Sequence, residues 1–135
     1  MNSLREASYR MRLAEGYLER AERFFKENAW LDCVRDAQAA VENAAKAIIA
    51  NFAPPARQLE VLLESGTFPE HLRPLVESGL AVFGAMGHRE HIAATYGDEE
   101  AFTPPWELFD REDAEKALEV ARKAVEIARE IMAQL

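Results

Sequence analysis

The chain is poor in the features that define several specialised classes of protein. It has one cysteine in 135 residues, Cys33, which excludes an internal disulfide and a zinc site built on paired cysteines. No purely apolar run exceeds a few residues, far short of the roughly 20 that a membrane span needs. The first residues also lack an apolar stretch of the signal-peptide type, so we expect a cytoplasmic protein without membrane contact.

Sequence fingerprints for phosphate binding are absent too. We find no G-x-x-x-x-G-K-[ST] loop and no G-x-G-x-x-G turn, and no pattern that calls for a cofactor or a metal. The formal net charge of −8 argues against broad, non-specific nucleic-acid binding, so we expect no DNA partner. A local cationic site is compatible with this total charge.

What the chain does have is helical periodicity. β-branched residues never alternate over a useful length, so the sequence predicts no strand. The period is clearest over residues 30–51, where six small or apolar residues share one side of a helix. These residues are Cys33, Ala37, Ala40, Val41, Ala44 and Ile48. Small side chains let a neighbouring helix come close, which predicts the central helix of a tight bundle and makes Cys33 a buried structural thiol.

Capping and helix-breaking residues set the predicted boundaries. The first helix runs from about 3 to 27 with a capping box of Ser3 and Glu6, and the second from about 29 to 51. The short break between them predicts an antiparallel hairpin. A short third helix over 56–64 and a fourth from Pro69 to about Gly87 or Thr95 follow.

The C-terminal third of the chain predicts a long loop over 96–110 and a last helix over 111–134. Asp110 and Asp113 form a capping pair at the start of this helix. The helix carries a wide stripe of small and apolar residues, which fits either a core helix or a seam for self-association. We predict that Trp106 is an aromatic plug that pins the loop to the bundle, with stacking on a base as the alternative. The chain as a whole is predicted to be one all-α domain over 1–135, an up-and-down bundle of four to five helices.

The densest polar cluster lies between His88 and Glu100. His88 and His91 are three positions apart, so they share one face of a helix. Three interpretations remain open: a solvated helix end, a site for an anion such as a phosphate, or a metal site completed by Asp98 or Glu99. The candidate ligand-binding residues are His88, Arg89, His91, Tyr96 and Asp98.

The order of helices and motifs resembles the HEPN domain family, named for higher eukaryotes and prokaryotes nucleotide-binding. The residues that carry the resemblance are the Ala-Gln…Glu…Lys pattern of 36–47, the segment 94–99, and a closing Ala- and Glu-rich helix opened by Asp113-Ala114. The resemblance covers nearly the whole chain. It implies an all-α up-and-down bundle that is usually dimeric, and many prokaryotic members are paired with a minimal nucleotidyltransferase.

The resemblance also implies one of two activities. Many members are metal-independent RNases of toxin–antitoxin and defence systems, and their motif is an arginine, four to six residues, then a histidine. Members that lack the motif are nucleotide- or substrate-binding modules. Here one residue separates Arg89 from His91, and no arginine lies five to seven positions before His88 or His91.

We therefore expect a homodimeric module that binds a nucleotide or RNA phosphate without catalysis, together with a nucleotidyltransferase in a toxin–antitoxin-like pair. Two alternatives stay open. One is a divergent metal-independent RNase, with His91 as the acid/base and Arg89 stabilising the charge of the phosphorane. The other is a structural interaction protein that only dimerises.

Overall fold

The computed structural model of the chain describes residues 2–52, 73, 74, 77 and 97–134. Within these segments there are four helices: α1 Asn2–Lys26, α2 Trp30–Phe52, α3 Pro105–Leu108 and α4 Arg111–Ala133. None of the described residues belongs to a strand, and one isolated bridge pairs Asp98 with Thr103. The predicted all-α bundle is confirmed.

The helix boundaries differ from the prediction mainly at the N-terminus. Because α1 already includes Asn2, Ser3 lies inside the helix. The side chain of Ser3 is not among those that the structure describes, so the Ser3–Glu6 capping box stays a prediction. The Glu6 carboxylate lies 3.8 Å from Nε of Arg10, one turn further along α1. The helices predicted over 56–64 and from Pro69 onwards fall outside the described residues, except that 73, 74 and 77 are helical.

The short connection between α1 and α2 is closed by a Schellman-type cap. The N–H of Ala29 donates to the carbonyl of Phe24 (2.9 Å), and the N–H of Asn28 donates to that of Phe25 (3.1 Å). Asn28 has a φ of 61°, the left-handed conformation that such a cap requires and that asparagine adopts more readily than most residues. This geometry reverses the chain and confirms the predicted hairpin.

Contacts between the long helices show how they run. The pairs Arg10–Asn43 and Arg20–Asp36 join α1 to α2 in antiparallel register. The Sγ of Cys33 lies 3.8 Å from the carbonyl oxygen of Ala114, so the N-terminal ends of α2 and α4 meet. α4 therefore runs parallel to α2 and antiparallel to α1, as expected for the last helix of an up-and-down bundle.

The core between these helices is made largely of alanine. Eleven alanines in the described segments are fully buried, whereas the largest fully buried side chains are only Ile48, Ile131, Val125 and Cys33. The buried alanines are Ala7, Ala14, Ala21, Ala37, Ala40, Ala44, Ala47, Ala114, Ala121, Ala124 and Ala128. Side chains this small leave room for the helices to approach closely, and the approach in turn buries backbone as well as side chain.

The stripe on α4 belongs to this core. Eight small or apolar residues of the helix are buried, and they are Ala114, Ala117, Leu118, Ala121, Ala124, Val125, Ala128 and Ile131. The residues that α4 leaves exposed are mainly charged, such as Glu119, Lys123 and Glu126. Of the two interpretations of the stripe, the core helix is therefore the correct one.

The predicted cap of α4 is confirmed as a capping box. The carboxylate of Asp110 accepts from the N–H of Asp113 (2.9 Å), and the carboxylate of Asp113 accepts from the N–H of Asp110 (3.0 Å). The hydrogen bond from the backbone of Asp113 lowers the pKa of the Asp110 carboxyl below its ordinary value of 3.8. The cap fixes where the preceding loop meets the bundle.

Filling the alanine core should destabilise the protein. Ala121 is fully buried, so we expect Ala121→Leu to lower the free energy of unfolding by about 1–3 kcal/mol through overpacking. Urea unfolding followed by circular dichroism measures this change. Ala133→Leu, at an exposed position of the same helix, is the matched control and should be close to neutral. Equal effects at the two positions would contradict a close-packed alanine core.

Removing the charge from the cap of α4 should reduce the acid sensitivity of folding. The pKa of Asp110 is lower in the folded state than in the unfolded chain. The contribution of its ionised carboxylate is therefore complete above the unfolded pKa and is lost as the pH falls through the folded one. Thermal unfolding between pH 7 and pH 3 should show a smaller loss for Asp110→Asn, which keeps a capping side chain, than for the wild type. Glu115→Gln, at an exposed position of α4, should behave like the wild type.

Candidate functional site

The structure describes one of the five predicted ligand-binding residues. Asp98 lies in the described segment 97–134, whereas His88, Arg89, His91 and Tyr96 lie outside the described residues. The interpretation of the histidine cluster therefore stays a prediction. The segment that follows it contains a paired turn and one turn of helix, and it therefore differs from the long irregular loop that we predicted over 96–110.

Asp98 closes a tight hairpin turn. Asp98 and Thr103 exchange two backbone hydrogen bonds of 2.8 and 2.9 Å, and the N–H of Phe102 points back to the carbonyl of Glu99 (3.4 Å). The carboxylate of Asp98 accepts from the N–H of Ala101 at 3.1 Å. This is a typical aspartate role in turns, so the carboxylate is engaged within its own loop.

Two left-handed residues shape this turn. Gly97 has a φ of 76°, and a Cβ at this position would collide with the carbonyl oxygen of Thr103 and come within 3.0 Å of Pro104 C and Pro105 N. Phe102 has a φ of 54°, which is rare for a bulky side chain and costs about 1–3 kcal/mol. With this backbone the phenyl ring of Phe102 is 93% exposed.

Trp106 does not plug the bundle. It lies in α3, one helical turn that begins at Pro105, and its side chain is 71% exposed. Phe109, three positions further on, packs against the core in its place. The prediction for Trp106 is therefore wrong. In a single turn of helix the direction of each side chain depends on where the next helix starts. Here Asp110, the N-cap of α4, comes only two residues after the end of α3.

We call residues 97–107 the acidic–aromatic turn. It presents Phe102 and Trp106 to solvent beside the carboxylates of Asp98, Glu99, Glu100 and Glu107, and it contains no basic residue. Sequence reasoning overlooked Phe102. The available signal was a phenylalanine among acidic and turn-forming residues, where no helical stripe could bury it. Carboxylates repel phosphate, so this surface fits a cationic or protein partner better than a nucleic acid.

The remaining candidate groups in the described segments have structural roles. Burial, with a smaller contribution from the Asp36 carboxylate and against the opposing effect of Arg122, raises the pKa of the Cys33 thiol to about 11. The thiol is protonated at neutral pH, which confirms a buried structural cysteine. Asn43 is also buried, and it donates to the carbonyl of Ala39 and accepts from Arg10.

The described segments contain neither a cluster of metal ligands nor a membrane-spanning helix. No group of three His, Cys, Asp or Glu side chains there could hold a metal ion. No helix among the described residues is long and apolar enough to cross a membrane. The metal alternative for the histidine cluster involves His88 and His91, which these segments do not include.

The chain is an up-and-down helical bundle. It consists of an antiparallel α-hairpin and a closing helix that runs parallel to the second helix of the hairpin, with a core made largely of alanine. Comparison with family models identifies the bundle: the model of the HEPN domain matches residues 7–131. The chain belongs to the HEPN domain family, and at the family level this supports a function related to nucleotides or RNA. Comparisons with curated proteins and with solved structures gave no significant match.

The turn itself depends on Gly97. We expect Gly97→Ala to break the backbone pairing of Asp98 with Thr103, because the added methyl has no space and the positive φ is strained. Amide hydrogen exchange should show lost protection at Thr103 and unchanged protection in α2. Ala101→Ser, at an exposed position of the same turn, is the control. Retained protection of Thr103 in Gly97→Ala would contradict this geometry.

Proposed function

We propose that this HEPN chain is a non-catalytic module that binds a nucleotide or an RNA phosphate. The observation that carries the proposal is a combination of two facts. The HEPN model matches residues 7–131, and no histidine of the sequence follows an arginine with four to six residues between them. This holds for His71 as well as for His88 and His91.

The spacing matters because of the chemistry that it would support. Metal-free cleavage of an RNA phosphodiester needs a histidine for proton transfer and a cation beside the developing charge, both at the same phosphate. Arg89 and His91 are two positions apart, and residues at this spacing do not face each other in the helix predicted for this stretch. Binding needs less. A guanidinium and imidazoles can hold a phosphate without the alignment that proton transfer requires.

In this proposal the ligand is held by His88, Arg89, His91 and Tyr96. Asp98 contributes indirectly, through the turn that it closes. Its carboxylate is engaged by Ala101, and its backbone closes the turn that directly follows Tyr96. The proposed assembly is a homodimer that works with a minimal nucleotidyltransferase, as in a toxin–antitoxin-like pair. The support for this assembly is the family membership together with the acidic–aromatic turn, whose two exposed aromatic side chains are of a type enriched at protein interfaces.

A cleavage assay and a titration test the proposal. The purified chain is incubated with single-stranded RNA in EDTA beside His91→Ala, and we expect both proteins to leave the RNA intact. Isothermal titration with AMP should show binding that weakens about 10- to 100-fold in Arg89→Ala, because a charged hydrogen bond to the phosphate is lost. Lys116→Ala, at an exposed position of α4, is the control and should bind AMP like the wild type.

Three other outcomes would contradict the proposal or favour one of its alternatives. Metal-free cleavage that disappears in His91→Ala would make the chain a divergent RNase and contradict the proposal. AMP binding that is unchanged in Arg89→Ala would show that AMP does not bind at the histidine cluster. A chain that binds neither AMP nor a short RNA would favour the purely structural alternative.

A further inference from the structure

The exposed face of α1 carries an open groove at its only glycine. Leu13 and Tyr17 flank Gly16, and the space above it has a volume of about 230 Å³. A Cβ added to Gly16 would meet nothing within 4 Å. Glycine weakens the interior of a helix relative to alanine, and no packing contact within the described part of the chain requires it here. We call this feature the α1 groove, and its lining residues are Arg12, Leu13, Gly16, Tyr17 and Arg20.

The rim of the α1 groove carries two guanidinium groups, one of which is already paired with a carboxylate. Arg12 and Arg20 are eight positions apart, so they lie about 12 Å apart along the helix axis on either side of Gly16. Arg20 is held in place by Asp36, at 3.0 Å from its Nε, and it lies over the ring of Tyr17. Arg12 is exposed and has no ion pair or hydrogen bond to any residue that the structure describes.

Two of the four carboxylates of α1 are directed away from this rim, whereas Glu19 is exposed next to Arg20. Glu15 pairs with Arg129 at 3.0 Å and Glu22 with Arg122 at 3.4 Å, so both face α4. The helix as a whole carries six basic and four acidic residues. The α1 groove is thus a small apolar concavity between two guanidinium groups.

The acidic–aromatic turn has the complementary properties. Phe102 is an aromatic ring with 93% of its surface in solvent, and Glu99 and Glu100 stand beside it. A closed cavity of about 150 Å³ holds benzene, so the α1 groove, which is open to solvent and has about 230 Å³, is large enough for one phenyl ring. Shape and charge therefore match between two separate surfaces of the same chain.

We propose that two copies of this chain dock reciprocally, with Phe102 of each copy entering the α1 groove of the other. Trp106 covers the edge of the contact, and the carboxylates of the turn face Arg12 and Arg20. Two such contacts related by a two-fold axis close the assembly as a dimer. Direct pairing of two α1 grooves is disfavoured, because an antiparallel arrangement about Gly16 would set Arg12 against Arg20 of the other copy.

This inference rests on the homodimer in the proposed function, but not on its ligand. Sedimentation equilibrium of the full chain tests it with two variants, each of which removes one side of the contact. Gly16→Leu fills the groove, and the double variant Phe102→Ala, Trp106→Ala removes the aromatic side chains. Each should raise the dimer dissociation constant roughly 30-fold or more, as expected for the loss of an interface anchor.

The controls separate docking from folding. Leucine is a better helix former than glycine, so Gly16→Leu should unfold at the same temperature as the wild-type monomer or higher. Tyr9→Ala removes a 54% exposed aromatic of α1 that does not line the groove, and it should leave the dimer unchanged. AMP titration of both docking variants measures the proposed ligand function independently of the dimer.

Mixing the two variants gives the sharpest result. Gly16→Leu keeps the turn but has a filled groove, and the double variant keeps the groove but lacks the aromatic side chains, so neither variant can form the contact with a second copy of itself. In a mixed pair, the turn of Gly16→Leu can enter the intact groove of the double variant. We expect an equimolar mixture to recover association with one of the two contacts, and therefore to be weaker than the wild type.

Three results would overturn the proposal. They are a monomeric wild type, a dimer that neither variant weakens, and a mixture that associates no better than its components. In the second case the homodimer would stand and only the docking surfaces would be wrong. If the wild type is monomeric and the double variant loses binding to a nucleotidyltransferase, the turn docks on that partner and not on a second copy.

Discussion

The close approach of α1, α2 and α4 across alanine surfaces is the constraint on which the rest of the structure depends. Alanine is the strongest helix former and contributes no side-chain entropy cost, but each residue buries little apolar area. Such a core is stable only if the helices lie close enough for backbone and methyl groups to be in contact. A larger side chain at one of these positions therefore has to push a whole helix away.

The surface contacts follow from this packing. Once the helices are close, Arg129 and Arg122 of α4 reach Glu15 and Glu22 of α1. Exposed pairs of this kind contribute at most about 1 kcal/mol each, so they set the register more than the stability. They also direct two carboxylates of α1 towards α4, and Arg12 remains exposed without a carboxylate partner in the described segments.

The start of α4 positions the acidic–aromatic turn. The capping box of Asp110 fixes the first turn of the helix, Phe109 packs against the core, and the guanidinium of Arg111 lies 5.1 Å from the ring centre of Phe25. The turn is thus held between the bundle and its own backbone hydrogen bonds. Its aromatic rings are exposed to solvent although hydrogen bonds hold the backbone beside them, which is the property expected of a binding surface.

The sequence predicted those parts of the fold that depend on local pattern. The small-residue face of α2, the break near Asn28 and the capping pair at Asp110 were correct because period, turn and cap each involve residues close along the chain. The fates of Phe102 and Trp106 were not predictable in this way. The left-handed φ of Phe102 and the direction of the single turn α3 depend on how the loop joins the bundle.

The same distinction explains the candidate site. Asp98 was predicted as a ligand because of its residue type and neighbours, yet its carboxylate stabilises a turn. The histidines and Arg89 remain ligand candidates on residue type alone. Family membership supports a function related to nucleotides or RNA, and the proposal of binding without cleavage rests on the missing arginine–histidine spacing.

One NMR sample would test binding without cleavage most directly. It contains the ¹⁵N-labelled chain and a short single-stranded RNA in EDTA, so that amide shifts report contact and ³¹P signals report the state of the RNA. The account predicts that the amides of residues 88–96 shift while the ³¹P spectrum stays that of intact RNA. New ³¹P signals from cleaved ends, or no amide shift in this segment, would contradict it.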